Sequence, residues 1–172
     1  MTVTEPATML TDYAITALCL WFALSLGRRG QGRKAGLWVA AFLVTAFAAL
    51  AGGTAHGFRI PLGESHRALW TTTVAAIAAG SVLLIAAGAR SAMRPEVKEE
   101  GAQRKGLRWL KRAVVVSLAG LGVLVLKLAP HPHFNHNDLY HVIQMGGLYS
   151  LYRGAELLCG LSGSDRTRGT GS

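Results

Sequence analysis

The sequence predicts an all-α polytopic membrane protein, a compact bundle of five transmembrane helices, and three observations carry that reading. The chain is 51% hydrophobic and 16% charged over 172 residues, with a mean hydropathy of +0.32, too apolar and too charge-poor for an ordinary soluble domain. Its charges are gathered into patches that leave stretches of about twenty residues almost free of them, the length an α-helix needs to cross the hydrocarbon core. These stretches lack β-barrel alternation, and lipid offers no partner for a free backbone amide, so continuous helix is required.

The five segments run over 8–26, 36–55, 68–89, 109–129 and 137–158. The first is preceded by a leader with Glu5 and neither lysine nor arginine, and its basic cluster follows it. That is the reverse of a signal peptide, so the segment is expected to remain as a helix. The second and fifth contain Gly52-Gly53 and Gly146-Gly147, small residues that let backbones approach closely. Between the third and fourth, 90–108 carries Pro95, three glutamates and mixed basic residues and reads as a solvated loop, with room for a short helix. The fifth holds His141, Gln144, Arg153 and Glu156, which leaves an interfacial helix open as an alternative. Residues 1–160 form one domain in this reading, followed by a disordered glycine- and serine-rich tail over 161–172.

Orientation follows from the basic residues. Arg28, Arg29, Arg33 and Lys34 sit on one connection, eight lysines and arginines lie between Arg90 and Arg112, and Arg166 and Arg168 lie in the tail. The opposite face has Arg59, Arg67 and Lys127. The positive-inside rule then places the N-terminus outside and the C-terminus in the cytoplasm. The net charge of +9 is mostly a topology signal. It points to anionic membrane lipids as partners and not to nucleic acid, because the basic residues flank apolar spans and do not interleave with aromatics on a soluble face. Cys19 and Cys159, both within apolar segments, read as packing residues and not as a disulfide.

All six histidines fall at the ends or connections of apolar segments on the outer face. His56 closes the second helix and His66 opens the third. His131, His133 and His136 occupy the turn after the fourth, and His141 lies about a turn inside the fifth. Asp12 and Asp138 are the carboxylates of the same leaflet. Asp138 and His141, three apart, share a helix face, whereas His136 and His141, five apart, diverge. A catalytic zinc takes three protein ligands and leaves one position for water. His56 and His141 are the first choices, with His136 or Asp138 as the third and Asp12 as acceptor of the water's proton. The plainer readings are solvated loop histidines for His131 and His133, an interface residue for His66, and hydrogen-bonded packing residues for His56 and His141. In the same vein, Asp138 would be a helix cap and Arg153–Glu156 a local ion pair.

The phrases Gly52-Gly53-Thr54-Ala55-His56-Gly57 and Asn135-His136-Asn137-Asp138-Leu139-Tyr140-His141 resemble the histidine motifs of the alkaline-ceramidase-like membrane hydrolase superfamily. The resemblance implies a seven-helix fold and a zinc ion held by one early and two late histidines. It makes His56 the early ligand and His141 a late one, with His136 as the other if the fifth helix is irregular. This chain departs from the pattern at Gly52, where the family has serine, and at Asn137, where a late pair spaced by four would need histidine. It departs again at Trp70-Thr71-Thr72-Thr73, where no aspartate stands. The first phrase also resembles small bacterial multi-pass proteins of no assigned activity, which implies a bacterial inner membrane. Two functional expectations follow: a zinc-dependent hydrolase of a lipid amide or ester, or a non-enzymatic membrane protein binding metal, haem or a partner helix. A transport subunit fits less well, because the first four helices lack charge at mid-depth.

Overall fold

The computed structural model describes residues 3–29, 33–93, 100–131 and 134–161. These fold as α1 (Pro6–Arg29), α2 (Arg33–Gly57), α3 (Arg59–Leu62), α4 (Ser65–Met93), α5 (Glu100–Leu126) and α6 (His136–Leu158). Among the described residues the only β feature is an isolated bridge between His131 and Phe134. Four helices, α1, α2, α4 and α5, are long and apolar enough to cross a membrane. The 23-residue α6 has the length, but its polar residues keep it out of that group.

Local chemistry sets the boundaries. Pro6 opens α1, where its missing N–H is not needed. Asn135 caps α6 by accepting from the amides of Asn137 and Asp138, while the Asp138 carboxylate accepts from the Asn135 amide, a reciprocal capping box. The loop expected over 90–108 is corrected by the structure, since α4 continues to Met93 and α5 begins at Glu100, well before Trp109. Gln103, Arg104, Lys105, Leu107 and Arg108 are straight-chain helix formers, and Arg104 lies 3.5 Å from Glu100 one turn away. A solvated helix thus extends past the apolar run, and the remaining connection, 94–99 with Pro95, lies outside the described residues. At the other end, α5 stops at Leu126 and Lys127 turns to φ 51°, short of the expected Ala129. The single turn α3 was not legible in the sequence. The tail expected to be disordered falls outside the described residues beyond Leu161.

Packing places α1 between α2 and α6, with α4 mainly on α2 and also touching α6, and α5 on α6. Helices α1 and α6 run parallel: Thr8 and Thr11 meet Asp138 and His141 at one end, and Ser25 and Arg29 meet Tyr152 and Glu156 at the other. We call these the histidine end and the arginine end. Between them lies an aromatic core in which Phe22 stacks on Tyr152 at 4.4 Å and meets Phe42 edge-on at 5.3 Å. Trp38 is fully buried and donates its indole N–H to Ser91 Oγ at 3.0 Å. Close approach depends on glycine at two crossings. A Cβ on Gly53 would lie 2.9 Å from Asp12 Cβ, and one on Gly154 would lie 2.6 Å from Leu110 and 3.4 Å from the Gly106 carbonyl. Cys19 and Cys159 are both buried and are not joined to each other by a disulfide.

Candidate functional site at the histidine end

Glu5, just before α1, and Thr8, Thr11 and Asp12 within it recur at helical spacing, and this stripe faces α6 and the end of α2. Asp138 is fully buried. Its Oδ1 accepts from the Thr8 hydroxyl at 2.7 Å and its Oδ2 from the Asn135 amide at 2.8 Å, so both carboxylate oxygens are engaged in structure. His141 places Nδ1 2.9 Å from Thr11 Oγ1 and Nε2 3.5 Å from Asp12 Oδ1. The Thr11 hydroxyl has one hydrogen and points it at the Thr8 carbonyl at 2.9 Å and the Ala7 carbonyl at 3.1 Å. The network therefore assigns the hydrogen between Thr11 and His141 to Nδ1. Nε2 then faces Asp12 with its lone pair in the neutral ring and with a second N–H in the imidazolium. The Asp12 and His141 side chains are only 9% and 12% exposed.

His56 reaches the same place from α2. Its Nδ1 is 3.0 Å from Glu5 Oε2, and its ring meets Trp70 of α4 edge-on at 5.4 Å. A cavity of about 200 Å³ opens between these groups, lined among others by Asp12, Gly52, His56, Trp70, Tyr140 and His141. Three of the expected site residues, Asp12, His56 and His141, thus come together from three helices. Two others do not line the cavity: His136, in the first turn of α6, and Asp138, which caps that helix. His66 stacks on Trp70 at 6.4 Å, His131 is exposed beside its bridge to Phe134, and His133 lies outside the described residues. Among the described residues no three His, Cys, Asp or Glu side chains are grouped so as to hold a metal ion. His56 and His141 line the cavity without His136, so the three-histidine zinc site that the resemblance implied is not assembled among the described residues.

Sequence reasoning missed Glu5, Thr8, Thr11, Trp70 and Tyr140. The spacing of Glu5, Thr8 and Asp12, three and four apart before an apolar run, was the available signal for the first of these.

Taken together these features define a class, an all-helical bundle whose outer surfaces suit a bilayer and whose one end holds a small, partly open cavity with a carboxylate–imidazole pair on its wall. The chain belongs to a family of unknown function, DUF6962, whose sequence profile matches residues 7–100 and 100–159. No curated protein and no solved structure matches it. The matched region contains Asp12, His56, Asp138 and His141.

Proposed function

We propose that this is a five-span membrane protein, N-terminus outside and C-terminus cytoplasmic, whose cavity at the outer end of the bundle binds the polar part of a lipid-like molecule. Parallel α1 and α6 support the odd number of crossings, because the chain then leaves on the side opposite its entry. The basic residues at the arginine end support the orientation, and a bacterial inner membrane is the compartment that goes with it. The observation that carries the binding reading is the convergence of Asp12, His56 and His141 on one cavity within an apolar bundle. Ionisable groups at membrane depth are costly and are kept where they have a task. Together they offer a hydroxyl, amide or phosphate group both a hydrogen-bond donor and an acceptor.

A lipid hydrolase is the second reading, favoured by the Asp12–His141 contact on the cavity wall. There the neutral Nδ1–H form of His141 leaves its lone pair on Nε2, the atom that would take a proton from an attacking water.

The test uses the full chain, purified without a histidine tag in mild detergent beside Asp12→Asn and His141→Ala, with retained lipid identified by mass spectrometry and metal by elemental analysis. One lipid species retained by the wild type and lost from both variants is the expected outcome. Retention of the same lipids by all three proteins would overturn the binding reading. Recovery of that lipid as its cleaved acid and alcohol or amine would select the hydrolase. Stoichiometric zinc lost from His141→Ala would return the metal-dependent form.

A further inference from the structure

Helix α4, packed on α2, and helix α5, packed on α6, leave an open cleft of about 690 Å³ between them, within the range of about 300–1,000 Å³ typical of ligand sites. Ile85 and Ala89 of α4 form one wall, Val114 and Leu118 of α5 the other, and Leu148 and Leu151 of α6 the floor. The lining is apolar apart from Ser81, Ser117, Tyr140, Gln144 and Lys111. Lys111 is its only charged residue, stands toward the arginine end, and makes no ion pair among the described residues. The next residue differs: the Arg112 guanidinium lies over the Trp109 ring at 5.0 Å. An unpaired ammonium at the mouth of an apolar cleft, with no carboxylate in the lining, is complementary to an anionic headgroup carrying a hydrocarbon chain.

We infer that the α4–α5 cleft holds an acyl chain of an anionic phospholipid from the leaflet on the arginine side, with its phosphate against Lys111. The chain lies between α4 and α5 over the α6 floor, and its methyl end reaches Tyr140 and Gln144, which also line the polar cavity. The cleft adjoins the cavity at the histidine end, with Ser81, Leu84, Tyr140 and Gln144 lining both, but the inference does not rest on what that cavity binds. Apolar residues that are well exposed on α4 and α5 outside the cleft, such as Val82, Val115 and Val125, face the ordinary bilayer and serve as internal controls.

The experiment reconstitutes the full chain in dioleoylphosphatidylcholine vesicles with a trace of phosphatidylglycerol carrying a mid-chain diazirine, or the matching phosphatidylcholine probe, and maps photoadducts by peptide mass spectrometry. The phosphatidylglycerol probe is expected to label Ile85, Ala89, Val114 and Leu118 above the control valines, and the phosphatidylcholine probe to show no such excess. Lys111→Gln should reduce the excess by about five-fold, the factor that one lysine's attraction to an anionic surface supplies, and Lys111→Arg should keep it. Ala89→Trp, which fills the cleft at an exposed position, should abolish cleft labelling while the control valines are labelled as before. That retained labelling, with unchanged helical circular dichroism, separates a blocked cleft from an unfolded chain. Equal labelling by both probes, or an excess that survives Lys111→Gln, would overturn the proposal. So would a cleft protected from both probes in a protein that runs as a dimer by native mass spectrometry, which would assign the cleft to a second copy.

Discussion

The two ends of the α1–α6 contact use similar chemistry to opposite effect. At the arginine end, Glu156 is 6% exposed and accepts from Arg29 at 2.8 Å, from the Tyr152 hydroxyl at 2.6 Å, and pairs with Arg153 at 3.2 Å. Ser25 joins through Tyr152 at 2.9 Å, and none of these groups lines the polar cavity. At the histidine end, Asp138 is satisfied in the same complete way, but Asp12 and His141 sit on a cavity wall at a looser 3.5 Å. A carboxylate enclosed by donors on every side locks two helices together, whereas one left facing open space with a single weak partner is free to meet something else. The arginine end is therefore read as a clasp and the histidine end as a clasp, Thr8–Asp138, set beside a site.

The sharpest way to break this contrast is Tyr152→Ala. The ring is 3% exposed, stacks on Phe22 and carries the hydroxyl that joins Ser25 to Glu156. Its removal should cost about 3–5 kcal/mol, the range for truncating a large buried aromatic, read as a lower thermal unfolding midpoint in detergent. Lipid retained per folded molecule should stay unchanged. A loss of retention in protein that is still folded would mean that the two ends are coupled.

Asp138→Ala tests whether the buried carboxylate beside the site belongs to the fold or to the cavity. It removes one of the two reciprocal bonds of the capping box and leaves the Thr8 hydroxyl without its buried partner, together about 2 kcal/mol. The same unfolding midpoint measures it. If Asp138 is structural, Asp138→Asn, which keeps an oxygen for Thr8 or the Asn135 amide, recovers part of the loss and retains bound lipid.

The apolar spans were legible in the sequence because bilayer thickness imposes a length that composition alone reveals, and α1, α2 and α4 lie close to their expected positions. The start of α5 was not, because charge was read as loop. Helix-forming glutamate, glutamine, arginine and lysine residues extend a helix into water as readily as they would line a connection, and α5 shows the first outcome. At the site, Asp12, His56 and His141 stood out as ionisable residues at the ends of apolar runs, and the cavity does gather them. What the sequence could not supply was the third dimension. The divergence of His136 from His141 along one helix was countable, but the pairing of α1 with α6 in parallel was not. Without that pairing, Thr8 and Thr11 look like ordinary helix threonines bonded to their own backbone. The α4–α5 cleft was equally hidden, since a gap between helices leaves no mark on either one.

The smallest and most specific effect is expected from Thr11→Val, which keeps the shape of the side chain and deletes the hydroxyl. The stability change should be about 1 kcal/mol, the usual net worth of one hydrogen bond, and alone would say little. Its value lies in the proton. In the wild type the Thr11 hydroxyl spends its hydrogen on the backbone of its own helix, so His141 must bring the hydrogen at Nδ1 and turn Nε2 toward Asp12. With valine at position 11, Nδ1 loses its acceptor and the imidazole is released to place its hydrogen at Nε2, where the Asp12 carboxylate accepts it. Nitrogen chemical shifts of histidine labelled in the ring report the two tautomers directly. A neutral His141 protonated at Nδ1 or a doubly protonated ring in the wild type, changing to the Nε2–H form in Thr11→Val, would show that α1 sets the proton arrangement of the cavity through a residue that never touches its contents. An Nε2–H tautomer in both proteins would mean that Asp12 alone governs the ring, and the histidine end would then differ from the arginine end only in having space beside it.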